Sequence, residues 1–230
     1  MLTNKGIFID TSITSEIKKY CQMGFIRGVT TNPTIMSKDG LKGGYEEIKK
    51  RTKEISDLAM PYPVSVELLT NDTSQMYEQA KDLASINENI VIKVTIHGPN
   101  GELDNLKLIK ELEENQISVN ATAIMNSQQS LFAAMSGASY VSIFCGRVNN
   151  MGYDSREEIK KTRILLDKFN LKSNIIACSL REVINVTDWF IAGADIVTIP
   201  PQFFEALIIH PYSKETIKMF LSDSDKLMQN

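Results

Sequence analysis

Residues 89–122, NIVIKVTIHGPNGELDNLKLIKELEENQISVNAT, hold one complete unit of the pattern that organises this chain. NIVIKVT (89–95) and ISVNAT (117–122) are β-branched runs of strand length, and LDNLKLIKELEEN (103–115) between them has the apolar spacing of an amphipathic helix. Outward from this unit the alternation continues in both directions. The strand candidates are GIFID (6–10), IRGVT (26–30), YPVSVEL (62–68), NIVIKVT, ISVNAT, YVSIF (140–144), NIIACS (174–179) and DIVTIP (195–200), eight in all. Helical patterns lie between them at 15–23, 44–59, 74–86, 103–115, 126–137, 155–169 and 181–193, with a tail from FFEALI (203–208) onward. Ser155 and Asp104 are expected N-caps, and Gly137 and Gly193 expected stops. No linker or composition shift divides residues 1–230, which are expected to form one α/β domain with residues 212–230 as a helical tail. Eight strand–helix repeats in a chain of this length predict a (β/α)8 (TIM) barrel. An open doubly wound sheet is the alternative, but no GxGxxG or P-loop follows the first strand.

Composition narrows the function classes. The 230 residues are 43% hydrophobic and 23% charged, as in an ordinary soluble globular protein. A formal charge of −3 gives no electrostatic reason to expect nucleic acid or an anionic membrane as partner. Cys21, Cys145 and Cys178 are widely spaced with no CxxC pair, so buried, reduced thiols are expected and a zinc site is not. His97 is expected in a loop and His210 beside Pro211, with no metal-binding spacing between them. The N-terminal MLTNKGIFIDT lacks a signal-peptide apolar core, and no run is long enough to span a bilayer, so the expected location is cytoplasmic and the sequons at Asn71 and Asn185 are chance.

The central lysine of VIKVT is the most informative residue, because lysine is seldom buried unless paired or put to use. In (β/α)8 barrels the working groups sit at the C-terminal ends of the strands. The polar residues here fall at those positions: Asp10 ends the first run, the second leads into Thr30, Thr31 and Asn32, and Glu67 stands at the end of the third. Lys93 lies in the fourth, Asn120 and Thr122 close the fifth, and Ser142 lies in the sixth, ahead of Arg147. Ser179 and Arg181 follow the seventh. Singly, each has a plain alternative: Asp10 can cap a helix, Asn32 can hold the turn before Pro33, and Ser142 can satisfy a backbone group. Together around one lysine they predict a catalytic site.

An ordinary lysine, with a pKa of about 10.4, holds almost no free amine at neutral pH. Burial penalises the charged form, and a depression of roughly 3 units corresponds to about 4 kcal/mol. A neutral amine in a barrel can form a Schiff base with a ketone. The competing expectation is a permanent ion pair between Lys93 and Glu67 or Asp10. Two carboxylates in different surroundings can divide the proton transfers of imine formation and C–C cleavage. Arg147 and Arg181 suit a phosphate group, whose oxygens match the guanidinium fork.

The motifs FIDT, GVTTNPTIM, VSVEL, VIKV, VNATAI, YVSIFCGR, ACSLR and GADIVTIPP resemble those of the transaldolase family, in that family's order and over nearly the whole chain. The length resembles the short subfamily that also includes fructose-6-phosphate aldolases. The resemblance implies a TIM barrel of the class I aldolase type that passes a dihydroxyacetone unit from a ketose phosphate to an aldose phosphate, without metal or cofactor. It implies Lys93 as Schiff-base lysine, Asp10 as the acid/base of C–C cleavage, and Glu67 with Thr122 as holders of the water used in imine formation. It places Thr31, Asn32, Asn120, Ser142 and Phe144 around the donor and Arg147, Ser179 and Arg181 around phosphate. The aldolases carry Gln where Glu67 stands and Tyr where Phe144 stands, so transfer is expected over release of free dihydroxyacetone. A barrel that only binds sugar phosphates is the third possibility.

The chain departs from the family at three points: Thr95 stands where Pro is usual, the loop IHGPNGELDN (96–105) is longer, and Asn149-Asn150 replaces Asp-Asp. All three lie near the mouth and leave donor and acceptor open, between the pentose phosphate pathway and a specialised sugar route. Short members resemble one another in forming homo-oligomeric rings, pentamers or decamers. Ile217, Phe220, Leu221 and Leu227 are apolar positions in the tail that suit such assembly or packing on the parent barrel.

Overall fold

Eight parallel strands close into a barrel, in chain order, in the computed structural model, which describes residues 5–228. They are β1 (Gly6–Asp10), β2 (Ile26–Thr30), β3 (Val64–Glu67), β4 (Ile90–Thr95), β5 (Val119–Ile124), β6 (Tyr140–Ile143), β7 (Asn174–Ala177) and β8 (Ile196–Ile199). Gly6↔Ile196 and Phe8↔Thr198 pair the last strand with the first, which excludes the open sheet. Residues 1–4 and 229–230, the ends of the expected domain and tail, lie outside the described residues.

Strand side chains alternate between two cores. The outward set, including Ile9, Val29, Val66, Ile92, Val94, Ala121, Val141 and Ile143, packs under the helices in the main apolar cluster. A second cluster of Phe8, Val91, Tyr140, Ile176, Cys178 and Ile196 fills the barrel's interior, with Phe144 against it. Two residues further along most of these strands the side chains turn polar: Phe8 leads to Asp10, Val91 to Lys93, Tyr140 to Ser142 and Ile196 to Thr198. An apolar plug therefore carries a polar layer at the C-terminal mouth. Gly28 makes the plug possible, since a Cβ there would lie 2.5 Å from the Phe8 ring.

The helices are α1 (Thr14–Gln22), α2 (Pro33–Lys38), α3 (Gly44–Ala59), α4 (Thr73–Ala84), α5 (Asp104–Glu114), α6 (Ser127–Met135), α7 (Cys145–Asn150), α8 (Ser155–Lys168), α9 (Asn185–Ala192), α10 (Phe204–Ile208) and α11 (Pro211–Met228). In α3, Thr52, Ile55, Ser56 and Ala59 supply the buried stripe. Three helix starts expected from the sequence need correction. The side chain that caps α8 is Asp154, accepting from the Arg156 N–H, and Ser155 is already helical; Leu103 precedes α5, of which Asp104 is the first residue. The seventh major helix starts at Asn185 rather than Arg181, leaving Arg181 in the loop after β7. Gly193 does cap α9 with φ +111°, and Gly137 follows the end of α6 with φ +100°.

The cysteines are free; Cys145 and Cys178 are buried as expected, but Cys21 is only partly covered. Burial pushes the Cys145 thiol up to about 12. His97 is an exposed loop residue, and the His210 ring stacks on that of Tyr212, at 5.9 Å between centroids. No residue of α11 is buried, so its apolar positions do not pack on the parent barrel. Among the described residues no helix is long and apolar enough to cross a membrane.

Candidate active site

Register places the site. Glu67 lies opposite Lys93 across β3–β4, Lys93 opposite Asn120 across β4–β5, and Thr95 opposite Thr122 one step nearer the mouth. Lys93 is 5% exposed. Its Nζ donates to the Thr31 carbonyl at 2.8 Å and stands 3.0 Å from Glu67 Oε2. The ion pair weighed against a free amine is therefore present, with Glu67 as partner. The lysine is held on two sides, with a proton acceptor already in contact.

Asp10 is the last residue of β1. Thr30 Oγ1 donates to its Oδ1 at 2.6 Å, and Lys93 lies within electrostatic reach. Burial raises the Asp10 carboxyl above the ordinary 3.8, against the lowering effects of the Thr30 hydrogen bond and Lys93; Asp39 and Glu67 add to the rise. Asp10 caps no helix: α1 begins after Ile13 without a side-chain cap.

Asn120 joins two neighbours into a chain. Its Nδ2 donates to Ser65 Oγ at 3.1 Å, and its Oδ1 accepts from Ser142 Oγ at 2.8 Å. Beside it, Thr122 Oγ1 is buried without a hydrogen-bond partner among the described residues. Such a group is costly unless water or ligand satisfies it. The backbone is arranged to present it: β5 carries one extra residue against β6 between Ala121 and Ile124, and Ala123 has φ +59°. A bulge re-aims a side chain, and left-handed backbone in a residue other than glycine is strain of the kind found at functional sites.

The rim carries the arginines. Each of the other four arginines bonds a protein oxygen: Arg27 to Gly24, Arg51 to Ser12, Arg156 to Asp154 and Arg163 to Asp195. Among the described residues Arg147 and Arg181 do neither this nor pair with a carboxylate; Arg147 lies over the Phe144 ring, 5.0 Å from its centroid. Gly146 brings the two arginine-bearing segments together, because a Cβ there would fall 1.7 Å from the Ser179 carbonyl oxygen. Ser179 itself has φ +65°. Two exposed guanidinia and a strained serine thus converge on one edge of the mouth.

Two expected donor-binding residues are engaged in the protein. Asn32 Oδ1 accepts from the Ile35 N–H at 2.8 Å as the N-cap of α2, leaving its Nδ2 uncommitted. Thr31 Oγ1 donates to the Ser65 carbonyl at 3.0 Å, so Thr31 acts on the site through the oxygen that receives Lys93. Ser65 and Thr198 escaped the sequence reading. Both sit mid-strand, and the alternation Ser65–Glu67 and Ile196–Thr198 was the signal that could have found them. Thr95 accepts from Asn105 Nδ2 at 2.9 Å, which ties the end of β4 to the start of α5.

A buried lysine between two carboxylates at the C-terminal mouth of a closed (β/α)8 barrel defines a barrel enzyme with a lysine-centred site. The family model described as transaldolase/fructose-6-phosphate aldolase matches residues 7–230. Probable transaldolases from Oceanobacillus iheyensis and Leptospira biflexa are each 37% identical, over 94% and 96% of this chain and 96% and 99% of theirs. A probable transaldolase from Thermoplasma volcanium is 37% identical over 96% of both chains. The chain belongs to the transaldolase/fructose-6-phosphate aldolase family. A thiamine phosphate pyrophosphorylase from Pyrococcus furiosus superposes with a TM-score of 0.59 over 86% of each chain at 12% identity, a likeness of fold alone.

Proposed function

We propose that this protein is a transaldolase that moves a dihydroxyacetone unit between sugar phosphates through an imine at Lys93. The observation that carries this reading is Lys93 itself, buried, bonded to the Thr31 carbonyl and in contact with Glu67. Lys93 gives one proton to Glu67, and the freed amine attacks the ketose carbonyl. Glu67 returns the proton as the carbinolamine loses water, for which the unsatisfied Thr122 hydroxyl offers a hydrogen-bonding place. Asp10 then takes the proton of the hydroxyl next to the bond that breaks. The bonding pair moves into the iminium, leaving an enamine on Lys93 and releasing an aldose phosphate. An acceptor aldehyde takes the enamine carbon, Asp10 returns the proton, and water frees Lys93. Asn120, Ser142 and Asn32 Nδ2 line the donor's path, and Arg147 and Arg181 supply the phosphate clamp.

Transfer is favoured over release because Phe144 carries no hydroxyl near the imine with which to hold a hydrolytic water. A barrel that only binds would gain nothing from burying Lys93 and Asp10 together. Incubation with fructose 6-phosphate tests these readings. Turnover should require an aldose phosphate acceptor, and replacing the donor by unphosphorylated fructose should lower kcat/KM about 100-fold, as for losing a charge-assisted bidentate contact. Rapid release of dihydroxyacetone without acceptor would favour the aldolase instead.

The same proposal covers location and assembly. A cytoplasmic enzyme fits the sugar phosphate substrates. On α11, Ile217, Phe220, Leu221 and Leu227 are exposed at 56–78%, which supports a homo-oligomer in which a neighbouring copy covers them. Sedimentation at a multiple of the 25.8 kDa chain mass is expected, and a monomer at micromolar concentration would refute assembly.

A further inference from the structure

Behind Asp10 stand two threonine hydroxyls. Thr30 Oγ1 bonds Asp10 Oδ1 at 2.6 Å, and Thr198 Oγ1, on the strand that closes the barrel against β1, is in hydrogen-bond contact with Thr30 Oγ1. Both are sealed from solvent, Thr30 at 3% exposure and Thr198 at 1%. Valine would pack at position 198 with the same β-branched shape, so the hydroxyl is not required by the strand. Its contact in the structure is a side chain on β2 rather than a nearby carbonyl of its own strand, which is unusual for a core threonine that merely satisfies itself.

Each hydroxyl has one proton, and this fixes the direction of the chain. An ionised carboxylate can only accept. Thr30 therefore spends its proton on Asp10, and Thr198 must donate to Thr30. When Asp10 takes up a proton the order can reverse, the carboxyl donating to Thr30 and Thr30 to Thr198, with rotation of hydroxyls and no movement of heavy atoms. We infer that Thr198 is a positioning residue for C–C cleavage, which holds Thr30, and through it Asp10, in one geometry while the carboxyl alternates between its two forms. This rests on the transaldolase reading above. The charged and titratable groups facing Asp10 are Lys93 on β4, Glu67 on β3, Asp39 after α2 and Cys178 after β7. Each of them is engaged elsewhere: Lys93 and Glu67 with one another, Asp39 with Ser12, and Cys178 with the Ile143 carbonyl.

The test compares Thr198→Val with Thr198→Ser in the full-length protein. Loss of the donor behind Thr30 weakens the bond that favours the ionised carboxylate, so Asp10 protonates more readily. For Thr198→Val, kcat/KM with fructose 6-phosphate and an acceptor should fall about tenfold, and the acidic limb of its pH profile should move up by about half a unit. Thr198→Ser should restore both. Borohydride trapping of dihydroxyacetone on Lys93, which needs no C–C cleavage, should be unchanged in either variant. Thr30→Val should repeat the effect, and the double variant should add little to it, since the two hydroxyls act in series. If Thr198→Val does not fold, Thr198→Ala and Thr30→Val give the same comparison. An unshifted limb, an effect that Ser does not restore, or additive losses in the double variant would overturn the inference. Failure of the transaldolase reading is distinct, because it appears as absence of the adduct in the wild-type protein.

Discussion

Replacement of Lys93 by methionine is expected to leave a folded barrel without measurable transfer, a loss on the order of 10⁴-fold or more. Methionine fills nearly the same volume and suits the apolar stem of the lysine, which leads up from Val91 in the interior cluster. What disappears is the group proposed to form the imine, and among the described residues no other amine is paired with Glu67. The change also leaves Glu67 without its partner at 3.0 Å, but Glu67 reaches the mouth, so water can solvate it and the penalty stays below that of a sealed pair. Sugar phosphate binding should persist through the rim arginines. The measurements are a coupled transfer assay and a thermal-shift titration with fructose 6-phosphate. Retained turnover in Lys93→Met would rule out the imine mechanism.

Asp10→Asn should separate the two halves of the chemistry. Without a base for the sugar hydroxyl, cleavage should slow by about 10²- to 10⁴-fold, while ketose trapping on Lys93 continues. The same variant should be more stable than wild type at neutral pH. Burial raises the Asp10 carboxyl above its ordinary 3.8, so the folded protein binds the proton more readily than the unfolded chain does. Above the raised value the ionised group costs stability, and that cost is relieved as pH falls toward 3.8. Asparagine is neutral throughout and can still accept from Thr30. The Tm advantage of Asp10→Asn should therefore be greatest near pH 7 and shrink on acidification. A variant less stable at every pH would mean that Asp10 serves mainly as a countercharge to Lys93.

The barrel was legible because its strands are buried on both faces and read as dense β-branched runs, while the major helices show one apolar stripe each. The exceptions follow from length. Helices α2 and α7 have only six residues, too few for a periodic signal, and α2 announces itself only through Asn32 before Pro33. The start of α9 lies later than its pattern suggests, because Arg181 to Ile184 form loop and turn after β7. In the site, strand-end residues such as Asp10, Glu67 and Lys93 stood out as polar breaks in apolar runs. Thr198 did not, because threonine is at home in a strand and only barrel closure brings it to Thr30. Nor could periodicity choose between a free and a paired Lys93. That depends on the register that sets Glu67 opposite it.

The central claim is an imine at Lys93, and one measurement meets it directly. Wild-type protein is incubated with fructose 6-phosphate, reduced with borohydride, digested and read by peptide mass spectrometry. A dihydroxyacetone-derived adduct on the peptide that contains Lys93, absent without reductant, is the predicted result. An adduct confined to other lysines, or none with fructose 6-phosphate, sedoheptulose 7-phosphate or free dihydroxyacetone while the protein remains folded, would contradict it.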